Sequence, residues 1–591
     1  MRLPISTRFS QGDLVRAVLT PSSDGRWSAT SLELVERPRE RLFGEVVFRR
    51  DAYWLKVDRE VANSDWSLDL AGSNVQPGDT VIARIDGSRV VVERKVEANE
   101  DTALQRVIAR HSLRDEFPQP VLDEATRIGA SGHRLGARRD LRAVPTVTVD
   151  SASTRDIDDA ISVFPASPDG AIRLLVSIAD VAEYVEDGSA IDLEARERST
   201  SVYLGKRVLP MIPESLSADA LSLLPGRERA CLTCEMRIDA EGQVTSVDVY
   251  ESLICSTTRL TYDEVAAFFD RGEISPAVAM VREVMPWFRT LSARIGIARS
   301  RRGGVEVSRE ETEIVIDSGT GGVAAVAHVR ATSAHKMIER FMVAANEAIA
   351  RWLFERGVPA AFRVHDQPSA QQAAELDAFA HNFGFYAGFG RSISPLALAA
   401  FDAQLDGAVC EPAVRSVLLR SLGWARYTVH PSQHYGLAAP LYLHFTSPIR
   451  RYADLAVHRT IKRYLRGERA FVPDDPTVES LCTHINRQAR LASKAEADRR
   501  HMLEAQYLSN KIGESFSARI TGVRPFGLQV QIDATFIDGI LPFDALPDGP
   551  YRADPRSTRA ASATRTYEIG MQLTVKVAST DVALGRVEFS L

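Results

Sequence analysis

The chain has 591 residues, 45% of them hydrophobic and 25% charged. This length corresponds to roughly four domains, and the composition is that of a folded globular chain, which excludes a disordered polypeptide, a collagen-like fibre and a small disulfide scaffold. The formal net charge is −6, from 72 basic and 78 acidic residues, so any hold on nucleic acid must come from local basic surface. No run of 18 or more uncharged apolar residues occurs, and no helix is expected to span a bilayer. The opening MRLPISTRFSQGD lacks the apolar stretch of a secretory signal. Five cysteines, at 231, 234, 255, 410 and 482, suit a reducing compartment. The expectation is a cytoplasmic protein without a membrane partner.

Residues 1–96 read as short strands. GDLVRAVLT, a PSSDG turn and RWSATSLELVE suggest a hairpin, and LFGEVVFRR, AYWLKVD, GDTVIARIDG and RVVVERKVE follow at barrel spacing. One small barrel is expected over 41–98, preceded over 1–40 by a fragment of another. Residues 101–128 read as helix, interrupted at Pro118 and Pro120. From there to about 510, strands such as VPTVTV and AIRLLVSIA alternate with long helices. In AHKMIERFMVAANEAIARWLF apolar residues fall at 337, 338, 341, 342, 345, 348, 349 and 352, a helical period. Cys231 and Cys234 in ACLTCEM do not follow strand alternation, and without a second pair they read as buried structural thiols rather than zinc ligands. Residues 480–510 are predicted helical with a charged face. The last segment, 514–591, returns to strands (ESFSARITGVRPFGLQVQI, IDGILPF, YEIGMQLTVKVASTD, GRVEFSL), a five-strand barrel with the compositionally loose 548–565 as an exposed loop before the fourth strand. No internal repeat is found. The fold class is multidomain α+β: an N-terminal β-barrel region, a central mixed α/β domain over 99–510, and a C-terminal barrel. Two basic stretches, 37–50 and 487–500, each carry five basic against two acidic residues; either alone reads as a solvated face.

The most informative segment is 144–164, VPTVTVDSASTRDIDDAISVF. A strand delivers Asp150, a polar turn follows, and Asp156, Asp158 and Asp159 arrive within four residues before a second strand. Carboxylates gathered this way repel one another unless cations neutralise them, and an all-oxygen set without His or Cys suits magnesium or manganese better than zinc. A solvated Asp-rich turn and a helix cap are competing readings; a helix–loop–helix calcium site is excluded by the missing glycine and position-twelve glutamate. If metal is bound, phosphoryl transfer is its natural use, with two cations serving the attacking water and the leaving oxygen.

A second constellation, HYGLAAPLYLHFTSPIRRYADLAVHR at 434–459, presents Ser447, Arg450 and Arg451. Pro448 suits the first turn of a helix, which would place Arg450 at a helix N-terminus as a phosphate clamp. Arg451 reads instead as half of an ion pair with Asp454. DSASTRDIDDA together with HFTSPIRRYADLAVHR resembles the RNB family of exoribonucleases, the group of bacterial ribonuclease II and ribonuclease R. SIADVAEYVEDGSAIDLEARERSTSVYLGKRVLPMIPESLS, MIERFMVAANEAIA and FRVHDQP extend the resemblance over about 100–510. The terminal barrel looks like an S1-type RNA-binding OB-fold, and the N-terminal β region looks like a cold-shock domain; such barrels use an aromatic-bearing face for single strands. The C-terminal barrel carries eight basic and nine acidic residues, a weak electrostatic pull.

The resemblance implies a Mg²⁺-dependent, processive 3′→5′ exoribonuclease that releases nucleoside 5′-monophosphates from single-stranded RNA, with Mn²⁺ as a substitute metal. It implies metal binding and catalysis by Asp150, Asp156, Asp158 and Asp159, and charge stabilisation on the scissile phosphate by Arg450. By the same resemblance Tyr203, in SVYL, positions the 3′-terminal nucleotide. Glu496, in RLASKAEADRR, holds the terminal ribose, where a 2′-hydroxyl contact would reject DNA. His365, Ser447 and Phe526 complete the expected RNA contacts; His365, Ser447 and the neighbouring His444 also admit purely structural roles, and Phe516 reads equally as core. A monomer is expected, able to join an RNA-degradation complex. The N-terminal β region is shorter than two cold-shock domains, and no Lys-rich tail follows FSL, which points to the ribonuclease II subtype; SVYLGKRVLPMIP and HFTSPIRRYADL look more like ribonuclease R. Two rival functions stay open: a non-catalytic RNA-binding regulator on the same scaffold, and an endonuclease using the same metals.

Overall fold

The structure, a computed structural model, describes residues 8–21, 27–97, 100–131, 137–304, 311–316, 323–329, 331–386, 388–389, 392–408, 410–468, 476–554 and 558–591. It divides into two compact units, one of Met1–Glu116 with Lys494–Leu503 and Asp581–Gly585, the other of Phe117–Ser493, Glu504–Thr580 and Arg586–Leu591.

In the first unit, alternating apolar residues close a five-stranded barrel from Arg41–Arg49, Ala52–Val57, Trp66–Asp69, Thr80–Asp86 and Arg89–Lys95. Leu42, Val46, Leu55, Trp66, Val81 and Val90 fill it without exposure. Gly44 is required: a Cβ there would stand 2.3 Å from the Lys56 carbonyl oxygen across the strand pair. The predicted N-terminal hairpin forms as an antiparallel ribbon, Leu14–Pro21 against Trp27–Glu36, with Leu14, Val18 and Val35 exposed.

The second unit is built on a seven-stranded mixed sheet in the spatial order Thr258–Thr261, Val147–Asp150, Asp159–Phe164, Ile172–Ala179, Glu228–Ile238, Val244–Cys255 and Arg139–Asp140. Helices Met285–Arg301 and Ser333–Glu355 cover one face, where Leu174, Val176, Phe288 and Phe341 meet in one core. A second core holds Ile157, Leu175, Ile191 and Leu455 on the other face. The two cysteines are buried thiols as expected, but the reading that they do not suit a strand needs a correction. ACLTCEM is strand, and three-residue spacing on a strand puts Cys231 and Cys234 on opposite faces, each fully buried in a different core. Both thiols are free.

The break foreseen at Pro118 and Pro120 is a helix boundary. Thr102–Arg110 ends before it, and Gln119–Ser131 begins there with Pro120 in its first turn, where a missing N–H costs nothing. The long charged helix spans Pro476–Ser509. The C-terminal barrel closes from Ser515–Arg524, Gly527–Ile532, Asp538–Pro542, Gln572–Asp581 and Arg586–Ser590. The segment expected as a loose loop instead forms a small three-stranded sheet, Arg552–Ala553, Arg559–Ala561 and Thr566–Glu568. Tyr551 and Tyr567, with ring centroids 5.5 Å apart, give it a core that its polar composition hides. Among the described residues no helix is long and apolar enough to cross a membrane.

Candidate functional site: an under-neutralised aspartate cluster

Asp150 ends one strand of the sheet and Asp159 begins the next, so the turn between them lies at one end of two hydrogen-bonded neighbours. The turn is anchored by Ile157, which is fully buried; its N–H donates to Ser222 Oγ at 3.1 Å and its carbonyl accepts from Leu223 at 3.0 Å. Burying one such side chain contributes about 1.5–3 kcal/mol. That anchor separates Asp156 from Asp158. On the other flank, one guanidinium nitrogen of Arg259 donates to the carbonyls of Ser151 (2.6 Å), Ala152 (3.2 Å) and Thr154 (2.8 Å), gathering the polar turn. Arg259 belongs to the strand paired in parallel with Val147–Asp150, which brings Thr261 beside Asp150.

All four carboxylates are raised above their ordinary pKa. Burial is the main cause for each; for Asp150 the charge of Asp159 adds to it, and for Asp158 that of Asp159 also contributes. The cation acting on all four is Arg450. One Asp150 carboxylate oxygen is buried without a hydrogen-bond partner. The phenol of Tyr262, which follows Thr261, is likewise pushed up, by burial first and then by Asp150 and Asp159. Hard oxygen donors, partly dehydrated, with burial outweighing the positive charge near them, are groups that a divalent cation suits.

Arg450 reaches the cluster from a turn, which corrects its expected place at a helix N-terminus. The helix is Tyr452–Leu465 with Arg451 as its cap residue, and Ser447–Arg450 form the turn before it. The reason is Asp454, fully buried, which accepts the Ser447 N–H at 2.8 Å and both Arg451 donors at 2.9 and 2.7 Å, tying the chain back before the helix starts. Within the turn the Ile449 N–H donates to Asp158 Oδ1 at 2.9 Å, and Arg450 Nε stands 3.7 Å from Asp158 Oδ2. Ser447 is buried and its hydroxyl accepts from Arg450 at 3.1 Å, so it aims the arginine. The Arg450 side chain is still 42% exposed.

The hairpin Val202–Leu204 and Arg207–Leu209 carries Tyr203, whose side chain is exposed. It is stitched to the arginine turn. The Arg450 carbonyl accepts from Ser201 N–H (3.0 Å) and from the Thr200 hydroxyl (3.1 Å), while Tyr452 N–H donates to the Ser199 carbonyl (2.9 Å). The aspartates, the arginine turn and the hairpin that carries Tyr203 therefore lie in one unit.

The remaining expected residues fall elsewhere. His365 is a correction: it is buried, one ring nitrogen bonds the Leu422 carbonyl at 2.6 Å and the other accepts the Gly436 N–H at 3.1 Å, leaving neither for RNA. His444 bonds the Tyr427 hydroxyl at 2.6 Å. Phe526 stands 64% exposed at the turn between the first two strands of the C-terminal barrel. Glu496 is half-buried on the helix Pro476–Ser509 and belongs to the other compact unit. Arg259 carries no motif in the sequence; Phe48 and Tyr53, in the FRRDAYW string, are cross-strand partners on the N-terminal barrel with rings 4.9 Å apart.

A family model for the RNB domain matches residues 138–467, more than half of the chain. The chain belongs to the RNB family. A model for the S1 RNA binding domain matches residues 509–591, the C-terminal barrel of this RNB chain. Ribonuclease R of Thermotoga maritima is 34% identical over 499 residues, 83% of this chain and 70% of that protein. Ribonuclease R of Aquifex aeolicus is 29% identical over 98% of this chain and 84% of its own length. Among solved structures, Mycoplasma genitalium RNase R in complex with ribose-methylated single-stranded RNA is similar at a TM-score of 0.88 and 26% identity, covering 98% of this chain and 94% of that one. The RNB match contains the four aspartates, Tyr203 and Arg450. RNB nucleases in general depend on divalent metal, in keeping with the donor set.

Proposed function

We propose that this RNB chain is a Mg²⁺-dependent, processive 3′→5′ exoribonuclease that converts single-stranded RNA to nucleoside 5′-monophosphates in RNA degradation and processing. The observation that carries the reading is the convergence of four buried or half-buried aspartates on one arginine, with a buried carboxylate oxygen left unpaired. Asp150, Asp156, Asp158 and Asp159 would hold the metal, two ions being the expectation and Mn²⁺ an acceptable substitute. Bound there, divalent cations supply an activated water and neutralise charge on the phosphodiester. Arg450, steadied by Ser447 and Asp158, keeps guanidinium N–H groups for the phosphate oxygens as charge builds on them. Tyr203 offers its ring to the terminal base beside that arginine, Phe526 offers a stacking surface on the S1 barrel, and Glu496 holds the terminal ribose. A water nucleophile fits the absence of any Ser, Cys or Lys constellation among these residues.

The rival reading, a non-catalytic RNA-binding protein, is disfavoured because the quartet and Arg450 are intact and mutually positioned. The test is hydrolysis of 5′-labelled single-stranded RNA in Mg²⁺, with and without EDTA, resolved at single-nucleotide spacing. A short terminal oligomer reached without long intermediates, only with metal, is the expected result. Intact RNA that still shifts on a native gel would overturn it in favour of the binding protein, and internal fragments in favour of an endonuclease.

A further inference from the structure

Away from the aspartates, within the same unit, a cavity of about 50 Å³ lies between the helices Met285–Arg301 and Ser333–Glu355 and under the turn that joins strands Glu228–Ile238 and Val244–Cys255. A single water needs roughly 10–15 Å³ on such a measure. Four arginines line the cavity, Arg299, Arg302, Arg340 and Arg351, with one carboxylate, Glu347. Arg340, Glu347 and Arg351 recur at helical spacing on one face.

Two of these arginines are held by carboxylates. Glu347 takes both terminal nitrogens of Arg302 at 2.9 and 3.0 Å, and Glu339 takes one nitrogen of Arg299 at 2.9 Å. Arg340 donates to the carbonyl and hydroxyl of Ser292 at 3.2 and 3.3 Å. Arg351 makes no ion pair or hydrogen bond among the described residues, and the Nε groups of Arg299 and Arg302 are buried without an acceptor. Arg299 itself is only 3% exposed. Buried N–H groups of cations without acceptors are costly unless something supplies them.

Two glycines make the arrangement possible. A Cβ on Gly242, at φ +82°, would stand 2.2 Å from the Arg294 carbonyl oxygen, so only glycine lets the hairpin turn close against the helix. A Cβ on Gly296 would stand 2.6 Å from Arg340 Cζ, so its absence lets that guanidinium lie across the helix. Ile295, Ala298 and Ala344 supply the apolar part of the lining.

We propose that this cleft is a binding site for a phosphate or phosphate-monoester dianion. Guanidinium forks match tetrahedral oxyanions in shape and charge; the buried Nε groups of Arg299 and Arg302 lack the acceptor that such an anion brings, and the exposed Arg351 adds a guanidinium at the rim. Two sources carry that chemistry: inorganic phosphate, and a nucleoside 5′-monophosphate, the second resting on the exoribonuclease reading because it is that reaction's product. The experiment is calorimetric titration of the full chain, without RNA or metal, with inorganic phosphate and separately with adenosine 5′-monophosphate. It is repeated on Arg351→Glu, a surface change, and on Arg340→Gln. Saturable binding in the unaltered protein, weakened at least tenfold in Arg351→Glu and in Arg340→Gln with RNA hydrolysis unchanged, is the expected result. Tighter binding of the nucleotide than of phosphate assigns the product as ligand, and equal or weaker binding assigns free phosphate. Absent binding in the unaltered protein, or equal affinity in both variants, overturns the site. Either failure leaves the hydrolytic reading untouched, because the site is judged by anion binding and the hydrolytic reading by RNA cleavage, which are separate measurements.

Discussion

Two acidic clusters lie in the same unit and differ in what surrounds them. Asp180, Glu183 and Glu251 have carboxylate oxygens within 4.8 Å of one another, a spacing that would suit a cation. That place is already taken. Lys462 Nζ lies 2.7, 2.6 and 3.0 Å from the three, and Arg138 stands 2.8 and 2.9 Å from Asp180 and Glu183. Burial works to raise the Asp180 pKa, but Lys462 and Arg138 outweigh it and leave it lowered. At Asp150, Asp156, Asp158 and Asp159 the balance goes the other way, since burial prevails over Arg450. The first cluster is neutralised from within the fold, whereas at the four aspartates burial outweighs the one arginine that acts on them all.

The most forceful way to break the contrast is to neutralise one member of the under-compensated cluster. Asp158→Asn should lower hydrolysis by about 10³-fold or more, the equivalent of several kcal/mol of transition-state stabilisation, while RNA affinity in a gel shift stays within a few-fold. Near-normal turnover would remove the aspartates from the chemistry. In the compensated cluster the same logic acts on folding. Lys462→Met leaves three carboxylates with one fewer cation and should cost about 3–5 kcal/mol in urea unfolding.

The pH dependence sharpens the distinction. The four aspartates titrate higher in the folded chain than their unfolded value of about 3.9. The folded state then binds more protons than the unfolded one over that interval, and stability without metal falls as pH rises through the raised range. A divalent cation offsets that loss, contributing about 2.7 kcal/mol at a hundredfold excess over its dissociation constant. The rise in melting temperature on adding Mg²⁺ should thus be larger at about pH 8 than at about pH 5; an equal rise at both would contradict the raised carboxylates.

The smallest effect expected is at the scaffold of the site. Arg259→Lys keeps the charge but loses the planar fork that holds the carbonyls of Ser151, Ala152 and Thr154. About a tenfold fall in kcat, about 1.4 kcal/mol, with RNA affinity unchanged and a higher Mg²⁺ requirement, is expected. Unchanged metal dependence would make Arg259 an ordinary surface residue.

Much of this was legible in the chain. Alternating apolar runs announced both barrels, and the two motifs placed the aspartates and Arg450 because each is a continuous string whose spacing carries its geometry. What stayed hidden depends on partners distant in sequence. Arg259 looks like one of many arginines until its strand pairs with Val147–Asp150. Arg450 reads as a helix-start residue until buried Asp454 delays the helix. His365 reads as either an RNA contact or a structural residue until the carbonyl of Leu422 and the N–H of Gly436, far along the chain, consume its ring. The sheet at 552–568 was missed because its core is two tyrosines within a polar stretch.

The most direct test of which cluster takes the metal is a calorimetric titration of Mg²⁺ into the unaltered protein, Asp156→Asn and Glu183→Gln. Both substitutions sit at partly exposed carboxylates. Glu183→Gln should bind Mg²⁺ as the unaltered protein does, and Asp156→Asn should lose most of the binding heat. Loss of binding in Glu183→Gln with Asp156→Asn unaffected would place the metal in the other cluster and contradict the assignment.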